Sequence, residues 1–237
     1  MSGVITPETA ARPLDPAYRV DDYRSSRLRS PRKALIVPPA GLTELTGPQF
    51  GSGDVRDTDA DLTMHGDGEP IGERIIVHGT VTDDYGKPVR NSLIEIWQAN
   101  SAGRYIQKDD QHPAPLDPNF VGAGRCLTDD EGHYRFVSIK PGPYPWKNHD
   151  NAWRPAHIHL SLFGRAFTQR VVTQMYFPGD LLFFQDPIFN SIRDEPVRKR
   201  LISSYDHSVS VPEWATGYRF DIVVGGRSAT PVEDKGA

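Results

Sequence analysis

Arg74-Ile75-Ile76-Val77-His78-Gly79-Thr80-Val81-Thr82, followed by Asp83-Asp84-Tyr85-Gly86-Lys87-Pro88, is the stretch that decides the fold class. Ile, Val and Thr suit a pleated, half-buried backbone, and the Asp/Gly/Pro cluster supplies turn chemistry. The pair predicts a strand and a hairpin connection, with residues 93–98 as the return strand. Residues 125–128, the turn Asp129-Asp130-Glu131-Gly132 and residues 134–139 repeat that pattern as a second hairpin. Further strands are expected at 156–163, 170–177 and 218–224. Only residues 191–205 read as a helix, with Ile192, Val197, Leu201 and Ile202 on a loose apolar face. The expected fold is all-β: a β-sandwich with long loops, an extended N-terminal arm and one short C-terminal helix.

Composition agrees with that reading. The chain has 237 residues, with 21 Gly and 21 Pro, which favours short strands and many turns. Residues 1–70 are Pro- and Gly-rich, with an acidic stretch at 54–61 and weak hydrophobic periodicity. Tyr18, Tyr23, Leu35, Ile36 and Phe50 recur through it, so it is expected to be a partner-contacting arm, and residues 71–237 the sandwich domain. A formal net charge of −4 leaves no basic footprint for nucleic acid or a membrane surface. No apolar run approaches the ~18 residues of a membrane span, and no leader pattern is present. With one cysteine, Cys126, read as a buried inert thiol, the expected location is cytoplasmic.

Two long insertions, 100–124 and 140–155, interrupt the regular pattern, and such loops on a rigid sheet are where sites are built. Between them and the next strand lies His157-Ile158-His159. Residues i and i+2 of a strand share a face, so the two imidazoles can reach one metal ion. A hydrogen-bonding pair on a polar face is the competing account. Tyr144 lies between Pro143 and Pro145, which stiffen its backbone and suit a preorganised ligand as well as a simply packed ring. A phenolate beside imidazoles suits hard, highly charged Fe(III), because a phenol with a pKa of about 10 ionises at neutral pH only against a strong Lewis acid. Zinc is disfavoured by the lack of paired cysteines.

Longer motifs identify a family. Leu93-Ile94-Glu95-Ile96-Trp97-Gln98-Ala99-Asn100 with Gly103-Arg104-Tyr105 resembles the intradiol ring-cleaving dioxygenases. So do Leu116-Asp117-Pro118-Asn119-Phe120, Gly124-Arg125-Cys126-Leu127-Thr128-Asp129, Ile139-Lys140-Pro141-Gly142-Pro143-Tyr144-Pro145-Trp146 and Trp153-Arg154-Pro155-Ala156-His157-Ile158-His159. The resemblance runs over about residues 18–226 and points to the branch of the family built from α and β subunits. It implies one non-haem Fe(III) per chain, held by Tyr105, Tyr144, His157 and His159; Tyr105 is assigned by resemblance alone. It implies O2-dependent cleavage of 3,4-dihydroxybenzoate to 3-carboxy-cis,cis-muconate in aromatic breakdown, with Tyr144 taking up a substrate proton. Arg154 is expected to stabilise developing negative charge, and Gln174 to support the site from the following strand. Tyr23, Trp97, Trp146, Lys147, Tyr176 and Ile188 are expected pocket residues. A homologous α subunit is the expected partner, in αβ units of a larger oligomer.

Two other readings remain at this point. One is a homodimeric intradiol enzyme for catechol or hydroxyquinol, against which the N-terminus shows no helical periodicity. The other is a non-catalytic, transthyretin-like binding module on the same kind of sandwich.

Overall fold

The computed structural model describes residues 4–5, 35–36, 52–146, 150, 152–163 and 170–232. Strands β1 (Val4–Ile5) and β2 (Leu35–Ile36) pair antiparallel with each other. Three short 3-10 turns follow at Ser52–Asp54, Asp57–Ala60 and Leu62–Met64. The sandwich strands are β3 (Arg74–Thr82), β4 (Leu93–Trp97), β5 (Ala123–Leu127), β6 (His133–Ile139), β9 (His157–Phe163), β10 (Arg170–Tyr176), β11 (Ser204–Tyr205), β12 (Thr216–Arg219) and β13 (Ile222–Val223). A small antiparallel pair, β7 (Tyr144–Trp146) and β8 (Ala152–Arg154), stands apart. Helices α1 (Pro187–Ser191) and α2 (Glu195–Arg198) are the α-helices among the described residues, and none there is long and apolar enough to cross a membrane.

One sheet has the order β10-β9-β4-β5; in the other, β3 is flanked by β6 on one side and by β12 and β13 on the other. The core lies between them and follows the period of 2. Ile75, Val77 and Val81 of β3 meet Ile158, Leu160 and Leu162 of β9, with Ile94, Ile96, Phe136, Met175 and Ile222 around them. At Gly79 a Cβ would come within 2.0 Å of the Phe220 carbonyl oxygen, which also accepts from the Tyr134 hydroxyl at 2.5 Å. Only a glycine lets that segment approach. Cys126 is buried, and burial raises its thiol pKa to about 12, in keeping with the inert thiol expected.

Two expectations are corrected in detail. The two sequence hairpins are crossovers between the sheets. After β3 the chain does reverse, with Val89 N–H donating to Val81 O at 2.9 Å, but it then turns through Asn91 (φ 50°) into the opposite sheet. There β4 pairs with β5 and β9, while β3 pairs antiparallel with β6 from Arg74↔Ile139 to Thr80↔His133. The Asp129–Gly132 turn likewise carries the chain from one sheet to the other. Turn residues specify a reversal, not the strand that will accept the remaining ladder hydrogen bonds.

Helical structure forms within the region read as helix, but in pieces. Pro196 lacks an N–H, so it fits only a first turn, and α2 starts there with Asp194 capping Val197 N at 3.2 Å. A 3-10 turn, Lys199–Leu201, ends it, and Ser203 N–H is taken by Tyr176 O at 2.8 Å, which draws the chain back to the sheet. The apolar periodicity survives as packing: Ile192, Val197 and Leu201 bury against Tyr176 and Phe189.

Residues before 70 also contribute to the sandwich. Leu62 is fully buried in the main core, its Cδ1 in the space that a Cβ on Gly124 would fill, and Asp59 accepts from Arg125 Nε at 2.7 Å. Replacing Leu62 with Ala should therefore cost about 2–5 kcal/mol in denaturant unfolding. Leu181→Ala, at an exposed loop position, should stay within about 0.5 kcal/mol.

Candidate metal centre

The alternation that buries Ile158, Leu160 and Leu162 turns His157 and His159 to the outer face of the β10-β9-β4-β5 sheet. Neighbouring strands set what surrounds them. In register, Tyr176 lies opposite His157, while Gln174 and Trp97 lie opposite His159 from the two flanking strands. Trp97 stacks on His159, with ring centroids 4.8 Å apart and planes 5° from parallel. That contact fixes the orientation of the imidazole.

The two long insertions roof this face and bring in two phenols. Tyr105 OH is 3.2 Å from His159 Nε2, and Tyr144 OH is 3.3 Å from His157 Nε2. The tyrosine rings meet edge to face at 5.5 Å, and the imidazoles at 4.9 Å. Tyr105 is held through its backbone, whose N–H donates to Asp110 Oδ2 at 2.8 Å. Tyr144 opens β7, anchored on β8 by the register Tyr144↔Arg154.

His157 Nδ1 lies 2.7 Å from Pro155 O, and a carbonyl can only accept, so the proton is on Nδ1 and Nε2 presents its lone pair. Burial, then the Arg154 charge and His159, hold the His157 pKa well below its ordinary value, so it is a neutral ligand-ready base. The donors are thus two imidazole nitrogens and two phenol oxygens, with both OH···Nε2 pairs at hydrogen-bond distance. Hard phenolate oxygens with imidazoles suit a trivalent ion such as Fe(III), and the orphan-free Nδ1 supports that fit.

Beside the four donors lies a buried polar cluster. Arg154, 2% exposed, donates from Nε to Asp186 Oδ2 at 3.1 Å and from one terminal nitrogen to Tyr176 OH at 3.0 Å and to Gln174 Oε1. Tyr176 OH lies 2.7 Å from Gln174 Oε1 and 3.1 Å from Asp186 Oδ2. Burial opposes the arginine charge, but Asp186 first, then Tyr176, Tyr144 and Tyr105, outweigh it and raise the Arg154 pKa well above its usual value. Burial and Asp186 raise Tyr176, so its hydroxyl stays protonated. With Oε1 committed to these donors, Gln174 Nε2 is buried without a hydrogen-bond partner among the described residues.

The other expected pocket residues divide. The Arg154 guanidinium sits 5.4 Å from the Trp146 ring centroid. Ile188, half-buried on α1, donates its backbone N–H to Asp186 Oδ1 at 2.9 Å, which places it behind the arginine cluster. Tyr23 and Lys147 lie outside the described residues. Sequence reading missed Asp186 and Asp110. Asp186-Pro187 does carry a helix-start signal, since Asp186 caps α1, but nothing local says that its second oxygen serves Arg154.

Comparison with known proteins shows the family. The Dioxygenase_C family, described as Dioxygenase, matches residues 45–226. The chain is 56% identical to the protocatechuate 3,4-dioxygenase beta chain of Burkholderia cepacia, over 93% of this chain and 94% of that one. It is 32% identical to the protocatechuate 3,4-dioxygenase alpha chain of Pseudomonas putida, over 67% of this chain and 75% of that one. Among solved structures, the 3-chlorocatechol 1,2-dioxygenase of Rhodococcus opacus 1CP superposes with a TM-score of 0.54 at 25% identity, covering 75% of this chain and 69% of that one. The outer-face cluster thus stands on a sandwich shared with these enzymes, and the chain belongs to the intradiol ring-cleavage dioxygenase family.

Proposed function

We propose that this chain is the iron-bearing β subunit of a protocatechuate 3,4-dioxygenase. The reaction is cleavage of 3,4-dihydroxybenzoate by O2 between its two hydroxylated carbons. Both oxygen atoms enter the product, 3-carboxy-cis,cis-muconate. The observation that carries the site assignment is the convergence of Tyr105, Tyr144, His157 and His159 in two OH···Nε2 pairs at 3.2 and 3.3 Å. The substrate reading is supported by 56% identity to the Burkholderia cepacia beta chain over 93% of this chain. A homodimeric enzyme for another catechol finds less support, since this chain spans 69% of the 3-chlorocatechol enzyme but 94% of that beta chain.

One Fe(III) held by the four side chains would supply the Lewis acidity that keeps a bound catechol ionised, the electron-rich form that reacts with O2. The roles of the chain's own residues follow from where they sit. Tyr144, at the start of β7 and between two prolines, accepts a proton at its phenolic oxygen from an incoming substrate hydroxyl. Tyr105 and the two imidazoles stay in place, the latter oriented by Pro155 O and the Trp97 ring. Arg154, kept cationic by Asp186, faces the negative charge that builds on the substrate ring, and such stabilisation is worth roughly 3 kcal/mol. Gln174 Oε1 holds the guanidinium in that direction.

An α subunit as partner is supported by two relatives that are different chains of protocatechuate 3,4-dioxygenases, the Burkholderia cepacia beta chain at 56% identity and the Pseudomonas putida alpha chain at 32%. Co-expression with such a chain should give a complex on size exclusion.

The iron-loaded complex should absorb visible light through tyrosinate-to-Fe(III) charge transfer, and anaerobic protocatechuate should shift the band. Tyr105→Phe and Tyr144→Phe should each weaken it; an unchanged spectrum in both would refute the ligand assignment. Arg154→Gln should lower kcat by about 10²–10³ while leaving the resting band in place. An Arg154→Gln enzyme with wild-type kcat would remove Arg154 from catalysis.

A further inference from the structure

The loops that carry the two tyrosines are joined at a single buried residue. Asn100, 5% exposed, lies three residues past the end of β4, and all of its polar groups are engaged. Its side-chain oxygen accepts from Ala102 N at 3.0 Å and Arg104 N at 2.9 Å, and its amide nitrogen donates to Pro115 O at 3.0 Å. Its backbone N–H donates to Arg104 O at 2.9 Å. Its carbonyl accepts from Gly103 N at 3.0 Å and, across to the other insertion, from Gly142 N at 2.9 Å. Arg104 and Gly142 lie one residue before Tyr105 and two before Tyr144.

The glycines show how closely the two loops approach. A Cβ on Gly142 would stand 2.3 Å from Ser101 O and 2.7 Å from Gly103 N. A Cβ on Gly103, which has φ +76°, would stand 2.2 Å from Pro143 O and 3.3 Å from Tyr144 Cβ. Backbone lies against backbone on both sides, so neither loop can shift without the other. Gln98 ties the same corner to the opposite sheet, donating to Ile139 O at 2.7 Å and accepting from Ser138 Oγ at 2.6 Å.

We propose that Asn100 is a positioning residue: through its contacts with Arg104 and Gly142 it locks the Tyr105 loop to the Tyr144 loop and so sets the spacing of the two phenol oxygens. The inference rests on the reading of both tyrosines as metal ligands. A site that binds through two separate loops loses affinity when their spacing is free to vary, because the ordering entropy is then taken from binding. Supporting residues around a metal site typically contribute about 10- to 100-fold to its affinity.

The test uses the iron-loaded, full-length chain with its α partner, and two chemically opposite variants. Asn100→Ala removes the side-chain hydrogen bonds to Ala102 N, Arg104 N and Pro115 O that hold the carbonyl accepting from Gly142 in place, and Gly142→Ala pushes the loops apart with one methyl. The tyrosinate band, the rate of iron loss to a chelator and the thermal midpoint are measured on each. Leu62→Ala serves as a control, destabilising the core away from the site. Asn100→Ala and Gly142→Ala should both alter the band and release iron about 10- to 100-fold faster. Leu62→Ala should lower the midpoint and leave band and release unchanged. If either folded site variant keeps the wild-type band and release rate, or if Leu62→Ala changes them equally, the interlock is overturned. A wild-type complex without any tyrosinate band would instead overturn the ligand reading beneath it.

Discussion

The site depends on the register of one strand. β9 is paired on both sides, by β4 and by β10, and Ile158, Leu160 and Leu162 are at most 2% exposed. Each such burial is worth about 1.5–3 kcal/mol, and a slip of one residue would place all three in the site and both imidazoles in the core. The hydrophobic effect, which has no direction of its own, thus fixes where two directional donors point. Everything else in the centre is arranged around that face: Trp97 and Gln174 by strand register, Tyr105 and Tyr144 by the loops above.

A full positive charge lies beside these four candidate donors, which is costly unless paired. Arg154 is buried with Asp186, and Tyr176 and Gln174 complete their hydrogen bonds. Such a pair adds little net stability compared with apolar packing, but losing one partner costs several kcal/mol. Under the proposed function its retention makes sense: burial and then the cation disfavour a charge on His157, and the guanidinium would face the negative charge of an ionised substrate. Asp186 also caps α1, so the position of the guanidinium is coupled to the start of that helix.

Local signals were legible wherever a period or a special residue type carried them. β3 was readable at its full length from its β-branched content, and β9 and β10 from their apolar runs. The pairing of His157 with His159 on one face follows from strand alternation alone. Tyr144 stood out for its flanking prolines. Tyr105 did not: it sits in a loop with no period, and only the family resemblance singled it out. Asp186, Asp110 and Asn100 were not legible, because each acts through partners brought together from elsewhere in the chain.

Sequence alone therefore determined most of the sandwich strands, the face shared by His157 and His159, the imidazole pair and the family. These follow from short-range sterics and from periodicities that any window of the chain displays. Tertiary structure decided which strands pair, how the Tyr176 carbonyl draws Ser203 back to the sheet, and how two loops meet at Asn100. It also decided that Arg154 would be answered by Asp186, 32 residues away in the chain. Those outcomes turn on competition among distant hydrogen-bonding groups for the same partners, and no local window contains that competition.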